Sequence, residues 1–361
     1  MILQKVFSYD ELSEKVHAHD GRVFFLSGKT FELANIKEKL GLEDASYARF
    51  SGFSENPSLD DLVLALKVFR ESNASLIVAL GGGTAIDLAK LVKYYACTEL
   101  DGDEVEPPLP EKSESVELIA IPSTFGTGSE STHFAVLYIK GKKFSVADSS
   151  MLPTGYLLDC QLALTLPRTV KGSACLDALC QAIESYWSVS ASASSKELAG
   201  SAISMIIDNF REYLEGDIEA SKQIAIAANL AGQAINITKT TAAHALSYAL
   251  TSFYGVPHGH AVALCIKNMF NAKMSKAKEN RFDECCATME EIYTLLNVHD
   301  GNEASQLIYD YMYISGLFPN LSDCTNFSIE DVSKIVNSVN LERLKNHPVT
   351  FSPDELGNIF D

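Results

Sequence analysis

From Ser75 to Lys90 the chain reads SLIVALGGGTAIDLAK. An apolar stretch that suits one buried strand runs straight into Gly81, Gly82 and Gly83. Thr84 to Ala96 then follows with helical spacing. Strand, tight turn and helix in that order form the unit of a parallel sheet with right-handed crossovers. The neighbouring segments repeat it. Arg22 to Ser27 (RVFFLS) reads as a strand ending at Gly28, Thr30 to Leu40 as a helix, and Tyr47 to Phe53 as a second strand. Ser58 is placed to cap a helix over Leu59 to Ser72. An acidic, proline-rich link from Glu99 to Ser113 leads to a further strand, Val116 to Ile121. Phe134 to Ile139 and Lys143 to Ala147 alternate around Gly141 as a hairpin.

After Leu166-Pro167-Arg168 the texture changes. Val170–Trp187, Ser194–Leu214, Ser221–Ile237, Ala242–Phe253, His260–Ala272, Asp283–Leu296 and Glu303–Ser315 all carry helical periodicity, and strand signals nearly vanish. With 361 residues the chain exceeds one ordinary core. We therefore expect an α/β domain over 1–166 and a helical domain over 167–361.

Composition excludes several roles. A formal charge of −18 argues against nucleic-acid and anionic-membrane partners. No window is long enough to span a bilayer. The opening MILQKVFSYDELSEKV has no apolar signal core, and the eight cysteines are scattered without a CxxC pair. Both features suit a reducing cytoplasm.

Four stretches carry chemistry. In the first, Gly81 to Gly83 allow backbone N–H groups to approach a phosphate at a helix N-terminus. Asp87 on that helix would bond a ribose or order the loop; the plain alternative is a turn needed only for packing. The second, IPSTFGTGSEST (Ile121–Thr132), leaves another strand and offers Ser123, Thr124, Thr127 and Ser129. Two such loops on neighbouring strands favour a dinucleotide site over self-capped polar turns. The third, GSACLDALCQAIESYWS (Gly172–Ser188), puts Asp177 and Gln181 on one helical face. Asp177 lies among apolar residues, where a metal or a basic partner must offset its burial. The fourth, AAHALSYALTSFYGVPHGHAV (Ala242–Val262), brings three histidines, His244, His258 and His260, into one short run. With Asp177, His244 and His258 make a two-histidine, one-carboxylate metal set.

These motifs, in this order, resemble the iron-containing (group III) alcohol dehydrogenases over essentially the whole chain. The resemblance implies a Rossmann-like N-terminal domain, a helical C-terminal domain, and a divalent metal, Fe2+ or Zn2+. It implies that Asp177, His244 and His258 are metal ligands, with Gln181 where many members carry a histidine. Gly81, Gly82, Gly83, Thr84 and Asp87 match the pyrophosphate loop. Ser123, Thr124, Thr127 and Ser129 match the second cofactor loop, and Lys143 matches a lysine near the nicotinamide ribose. The family's proton-relay histidine is replaced by Tyr248, leaving water, Tyr248 or His260 to supply the proton. NAD-preferring members often carry Asp where this chain has Gly28. That change, with Lys29 beside it, implies that NADPH is accepted, with NADH the alternative.

Gln181, the THFAVLY segment (Thr132–Tyr138) and ERLKNHP (Glu342–Pro348) resemble the phosphonoacetaldehyde reductase branch. A phosphonate substrate would need cations; Lys143, Arg168, Arg343 and Lys345 are the candidates, the last two equally suited to a solvated helix end. Other small aldehydes are the alternative substrates. Dehydroquinate-synthase-like cyclases share the architecture but carry Glu at the position of Asp177. A homo-oligomer, a dimer, is the expected assembly.

Overall fold

The computed structural model describes residues 4–111, 116–270, 281–323, 329–337, 339, 344–357 and 359. The chain forms two compact units, one of residues 1–124 with 129–162, the other of 125–128 with 163–361.

The first unit contains strands β1 (Lys5–Val6), β2 (Val23–Leu26), β3 (Tyr47–Phe50), β4 (Leu76–Gly81), β5 (Glu117–Pro122), β6 (Phe134–Ile139), β7 (Lys142–Ala147) and β8 (Gly155–Tyr156). Its helices are α1 (Tyr9–Ala18), α2 (Thr30–Leu33), α3 (Ile36–Lys39), α4 (Leu59–Ser72), α5 (Gly83–Tyr94) and the short α6 (Gln161–Leu164). A six-stranded sheet runs in the order β1-β8-β5-β4-β2-β3, with every pair parallel. β6 and β7 form the expected antiparallel hairpin.

Both faces of the sheet are covered. Phe24, Leu26, Ile77, Ala79, Leu118 and Ala120 pack on the α4 and α5 side. Val23, Phe25, Val78, Leu80, Ile119 and Ile121 pack on the other. That is why VFFL and LIVAL are continuous apolar runs rather than alternating ones. Ser58 caps α4 in a reciprocal box with Asp61.

Two expected helices differ: the one read over His260–Ala272 starts at His258 and ends at Lys267, residues 271 and 272 lying outside the described residues. The helix read over Thr30–Leu40 is two short helices, broken at Asn35, whose φ of 51° lies in the left-handed region that asparagine tolerates. β1 and β8, two residues each, are too short to show a period.

The second unit is helical: α7 (Arg168–Trp187), α8 (Ala193–Glu215), α9 (Ile218–Thr238), α10 (Ala242–Tyr254), α11 (His258–Lys267), α12 (Phe282–Leu295), α13 (Gly301–Ile314) and α14 (Ile329–Asn337). Every residue of α7 from Cys175 to Ser185 is buried. A helix enclosed on all sides leaves its polar members to find partners inside the protein. No helix among the described residues is long and apolar enough to cross a membrane.

Candidate active site

In the sheet unit, the two small-residue loops leave adjacent strand ends. Gly81 pairs with Pro122 in register, and the Ser123 N–H donates to the Gly81 carbonyl at 2.9 Å. Gly82 is the N-cap of α5, and a Cβ there would stand 3.3 Å from Thr124 Oγ1. The backbone thus comes close to Thr124 because it carries no side chain. Thr84 donates its hydroxyl to the Glu55 carbonyl. Asp87 organises the second loop: its carboxylate accepts from the Ser129 hydroxyl and, at 2.9 Å, from the Val136 N–H. Lys90, fully buried, reaches Ser129 Oγ at 2.8 Å, Thr132 Oγ1 at 2.9 Å and the Phe134 carbonyl at 2.9 Å. Burial pushes its ammonium down to about 8, against the pull of Asp87 and Glu130. Lys143 is half-buried on β7.

β2 and β4 are neighbours, although the chain visits β3 between them. That is a switch point of the kind where open α/β sheets take ligands. Gly28, Gly81 and Gly83 all lie at its carboxyl edge. Arg49 on β3 also reaches this edge, with Nη2 donating to the Gly28 carbonyl at 2.7 Å and Nε to the Ser27 carbonyl at 3.1 Å. The guanidinium pairs with Glu32. The sequence reading missed Arg49; no local pattern marks it, since only strand order brings it to Gly28. Lys29, the residue beside Gly28 that the sequence suggested, is exposed.

In the helical unit, Asp177, His244 and His258 converge, with one donor atom from each within 4.8 Å of the others. His244 Nε2 lies 3.3 Å from Asp177 Oδ1, and His258 Nε2 lies 3.9 Å from the same oxygen. Asp177 is 2% exposed and His244 3%. Burial pushes the Asp177 carboxyl up, but the His258 charge and the His244 hydrogen bond outweigh it and hold the group below its usual range. Gln181 is one turn further along α7. Its Nε2 donates to the Thr127 carbonyl at 3.3 Å, while its Oε1 is buried with no hydrogen-bond partner among the described residues. A carboxylate and two imidazoles brought together, with an orphaned amide oxygen on the side chain one helical turn from that carboxylate, fit a divalent cation, which would satisfy these ligand atoms.

Glu184 is the second residue that the sequence reading missed. Fully buried on α7, it takes the Nδ1 proton of His244 on Oε2. Its Oε1 accepts the Thr241 hydroxyl and the N–H groups of Thr241 and Ala243, the latter two at 3.0 Å each. It therefore caps α10 and holds a proton on His244 Nδ1, which makes Nε2 the nitrogen that gives up its proton to a metal. Burial pushes the imidazole down, but the Glu184 and Asp177 carboxylates outweigh it and, without a metal, hold it up at about 9. The signal was present as a third polar residue, seven after Asp177 on the same buried face.

Glutamine at position 184 should lower metal affinity 10- to 100-fold. One end of the amide must turn N–H groups either on the α10 donors or on His244 Nδ1, and the second choice puts the proton on Nε2. Titration of metal-free Glu184→Gln protein with Zn2+ measures this.

The remaining histidine sits apart from this set. His260 is 1% exposed, its Nε2 donates to the Phe318 carbonyl at 2.7 Å, and its backbone N–H donates to Ser173 Oγ. Tyr248, by contrast, stacks on the His258 ring, with centroids 5.7 Å apart and planes 14° from parallel. Arg168 pairs with Glu215 at 2.9 Å and donates to the Ile314 carbonyl. Arg343 lies outside the described residues. Beside the exposed Lys345, Asn346 accepts from Ser188 and Ser190 and donates to the Thr238 and Thr240 carbonyls. That segment ties together the end of α7, the end of α9 and the start of α10.

Comparison with known proteins agrees with both units. The model of the iron-containing alcohol dehydrogenases matches residues 1–160, and that of the Fe-containing alcohol dehydrogenase family, C-terminal, matches 171–361. The chain belongs to the iron-containing alcohol dehydrogenase family. An NADPH-dependent butanol dehydrogenase of Clostridium saccharobutylicum is 32% identical over 231 residues, 62% of this chain and 60% of its own length. A phosphonoacetaldehyde reductase of Streptomyces viridochromogenes is 32% identical over 224 residues, 59% of this chain and 57% of its own length. The chain thus aligns with less than two thirds of either relative, and equal identity to both assigns no branch. The solved iron-containing alcohol dehydrogenase of Thermococcus thioreducens superposes with a TM-score of 0.88 at 25% identity, over 100% of this chain and 98% of that one.

Proposed function

We propose that this protein is a metal-dependent NAD(P)H aldehyde reductase, and that its substrate is phosphonoacetaldehyde, reduced to 2-hydroxyethylphosphonate. The observation that carries the chemistry is the set of buried Asp177 and His244 with the half-buried His258, and the orphaned oxygen of Gln181 one turn along α7. In this reading those four residues hold Fe2+ or Zn2+. Gly81, Gly82, Gly83 and Thr84 hold the pyrophosphate, and Ser123, Thr124, Thr127 and Lys143 flank the rest of the cofactor. Asp87 and Ser129 act on that loop through each other. When bound, the metal polarises the aldehyde oxygen and the reduced nicotinamide supplies a hydride to the carbonyl carbon. The protein orients both and gives a proton to the product oxygen. Tyr248, stacked on His258, is the proton donor in this reading, because the Nε2 proton of His260 is committed to Phe318. Arg49 at Gly28 supports NADPH in this reading, a 2′-phosphate taking the place of Glu32 on its guanidinium. A homodimer remains the expected assembly.

The phosphonate reading rests on Gln181 and on the similarity to the Streptomyces enzyme. A simple alkanal is the second reading, favoured because Arg168 is already engaged by Glu215 and Ile314. Initial rates with phosphonoacetaldehyde, lactaldehyde and butanal, each with NADPH and NADH, decide between them in protein of measured metal content. We expect phosphonoacetaldehyde with NADPH to give the highest kcat/KM. A higher value for butanal selects the alkanal reading. Turnover without net NADPH oxidation would point instead to cyclase chemistry.

A further inference from the structure

We infer that Gln181 mechanically ties the metal set to the Thr127 loop, so that the metal and the nicotinamide dinucleotide bind cooperatively. The inference rests on the reductase reading above and goes beyond it by assigning a coupling between its two ligands.

The two ends of the Gln181 amide face different things. Oε1 is buried without a hydrogen-bond partner among the described residues, Nε2 donates to the Thr127 carbonyl at 3.3 Å, and the side chain also hydrogen-bonds the Asp177 carboxylate of the metal set. Reversing the amide would set Oε1 against the Thr127 carbonyl, so the orientation is fixed by that contact. A cation that draws Oε1 into its shell thereby fixes where Nε2 points, and with it the Thr127 carbonyl.

The loop is built to feel this. Residues 125–128 belong with the helical unit, while the residues on either side belong with the sheet. The loop lies directly on helix backbone. A Cβ at Gly126 would stand 2.5 Å from the Ala174 carbonyl oxygen, and one at Gly128, where φ is +59°, would stand 2.5 Å from Gly232 Cα. Contact this tight leaves the segment few alternative positions. Thr127, between those glycines, has its carbonyl held by the one side chain that also faces the metal set. A metal that sets where Gln181 points therefore sets where the Thr127 carbonyl sits, the close packing passes that change along the loop, and cofactor binding gains by the same factor.

The test is a binding cycle on metal-free protein, with Zn2+ and NADPH as the probes and no turnover involved. Zn2+ affinity is measured by competition with a chromophoric chelator, with and without saturating NADPH; NADPH affinity is measured by fluorescence, with and without Zn2+. In the wild type we expect each ligand to tighten the other by about fivefold or more. Gln181→Ala removes both ends of the amide, and Gln181→Glu keeps a metal-facing oxygen but replaces the donor to Thr127 with an acceptor. Both variants should bring the coupling to within roughly twofold of none. Gln181→Glu should bind Zn2+ at least as tightly as the wild type, which separates loss of coupling from loss of a ligand. Should Gln181→Ala fail to fold, Gln181→Glu alone decides. Undiminished coupling in Gln181→Glu overturns the inference. A wild type that binds both ligands independently overturns it too, while leaving the reductase reading intact. A wild type that binds no Zn2+ overturns both.

Discussion

Replacing His258 with alanine will abolish metal-dependent aldehyde reduction while leaving the protein folded. The side chain is 34% exposed, with Nε2 aimed at Asp177 Oδ1 from 3.9 Å. It heads α11, and the helix does not need it: Pro257 occupies the N-cap, and the Ala261 N–H donates to the Pro257 carbonyl at 2.9 Å. Truncation therefore removes a donor and little packing. Losing the polarisation that a bound cation supplies is worth about 4 kcal/mol, or roughly a thousandfold in kcat/KM. Metal content should fall to background after dialysis, and the circular dichroism spectrum should match that of the wild type. Wild-type activity in metal-depleted His258→Ala protein would remove the metal from the mechanism.

A methyl group at Gly259 will do more structural damage than the loss of the adjacent imidazole. A Cβ there would stand 2.0 Å from the Ser173 carbonyl oxygen and 2.8 Å from Asp177 Cβ. Neither contact can relax cheaply, because both atoms lie on or beside the backbone of the enclosed helix α7. α11 must move off α7, which draws His258 away from Asp177. Overpacking of this kind costs about 3 kcal/mol, or roughly 6–12 °C in Tm for a unit of this size. Thermal unfolding of Gly259→Ala and its Zn2+ titration should both be impaired. A normal Tm with weakened metal binding would show that the helices part locally without loosening the unit.

The sequence made the outline of the fold legible because the signals involved are local. Unbroken apolar runs before Gly28 and Gly83 mark buried strands, and helical spacing beyond Arg168 marks the second unit. The same logic failed at Thr30–Leu40, where one residue, Asn35, takes a left-handed conformation that the pattern does not register. At the site, Asp177, His244 and His258 stood out because ionisable residues in apolar surroundings need a reason to be there. Glu184 met the same criterion and was missed. Its value lies in reaching the first turn of α10, 57 to 60 residues along the chain. Arg49 was illegible for a related reason: it meets Gly28, 21 residues away, only because β3 lies against β2.

His258 and His260 show where the division falls. By sequence alone they are near-equivalent imidazoles flanking one glycine at the start of a helix. Residue type and spacing determined that a metal-binding set was available and that Asp177 would join it. The motif already singles out His258; tertiary packing supplies the physical reason. Gly259 allows α11 to settle on α7, which turns His258 toward Asp177 and carries His260 into contact with the Phe318 carbonyl. Periodicity is a property of neighbours along the chain. The fate of a polar group depends on which other groups are shut away from water with it, and only the assembled helices settle that.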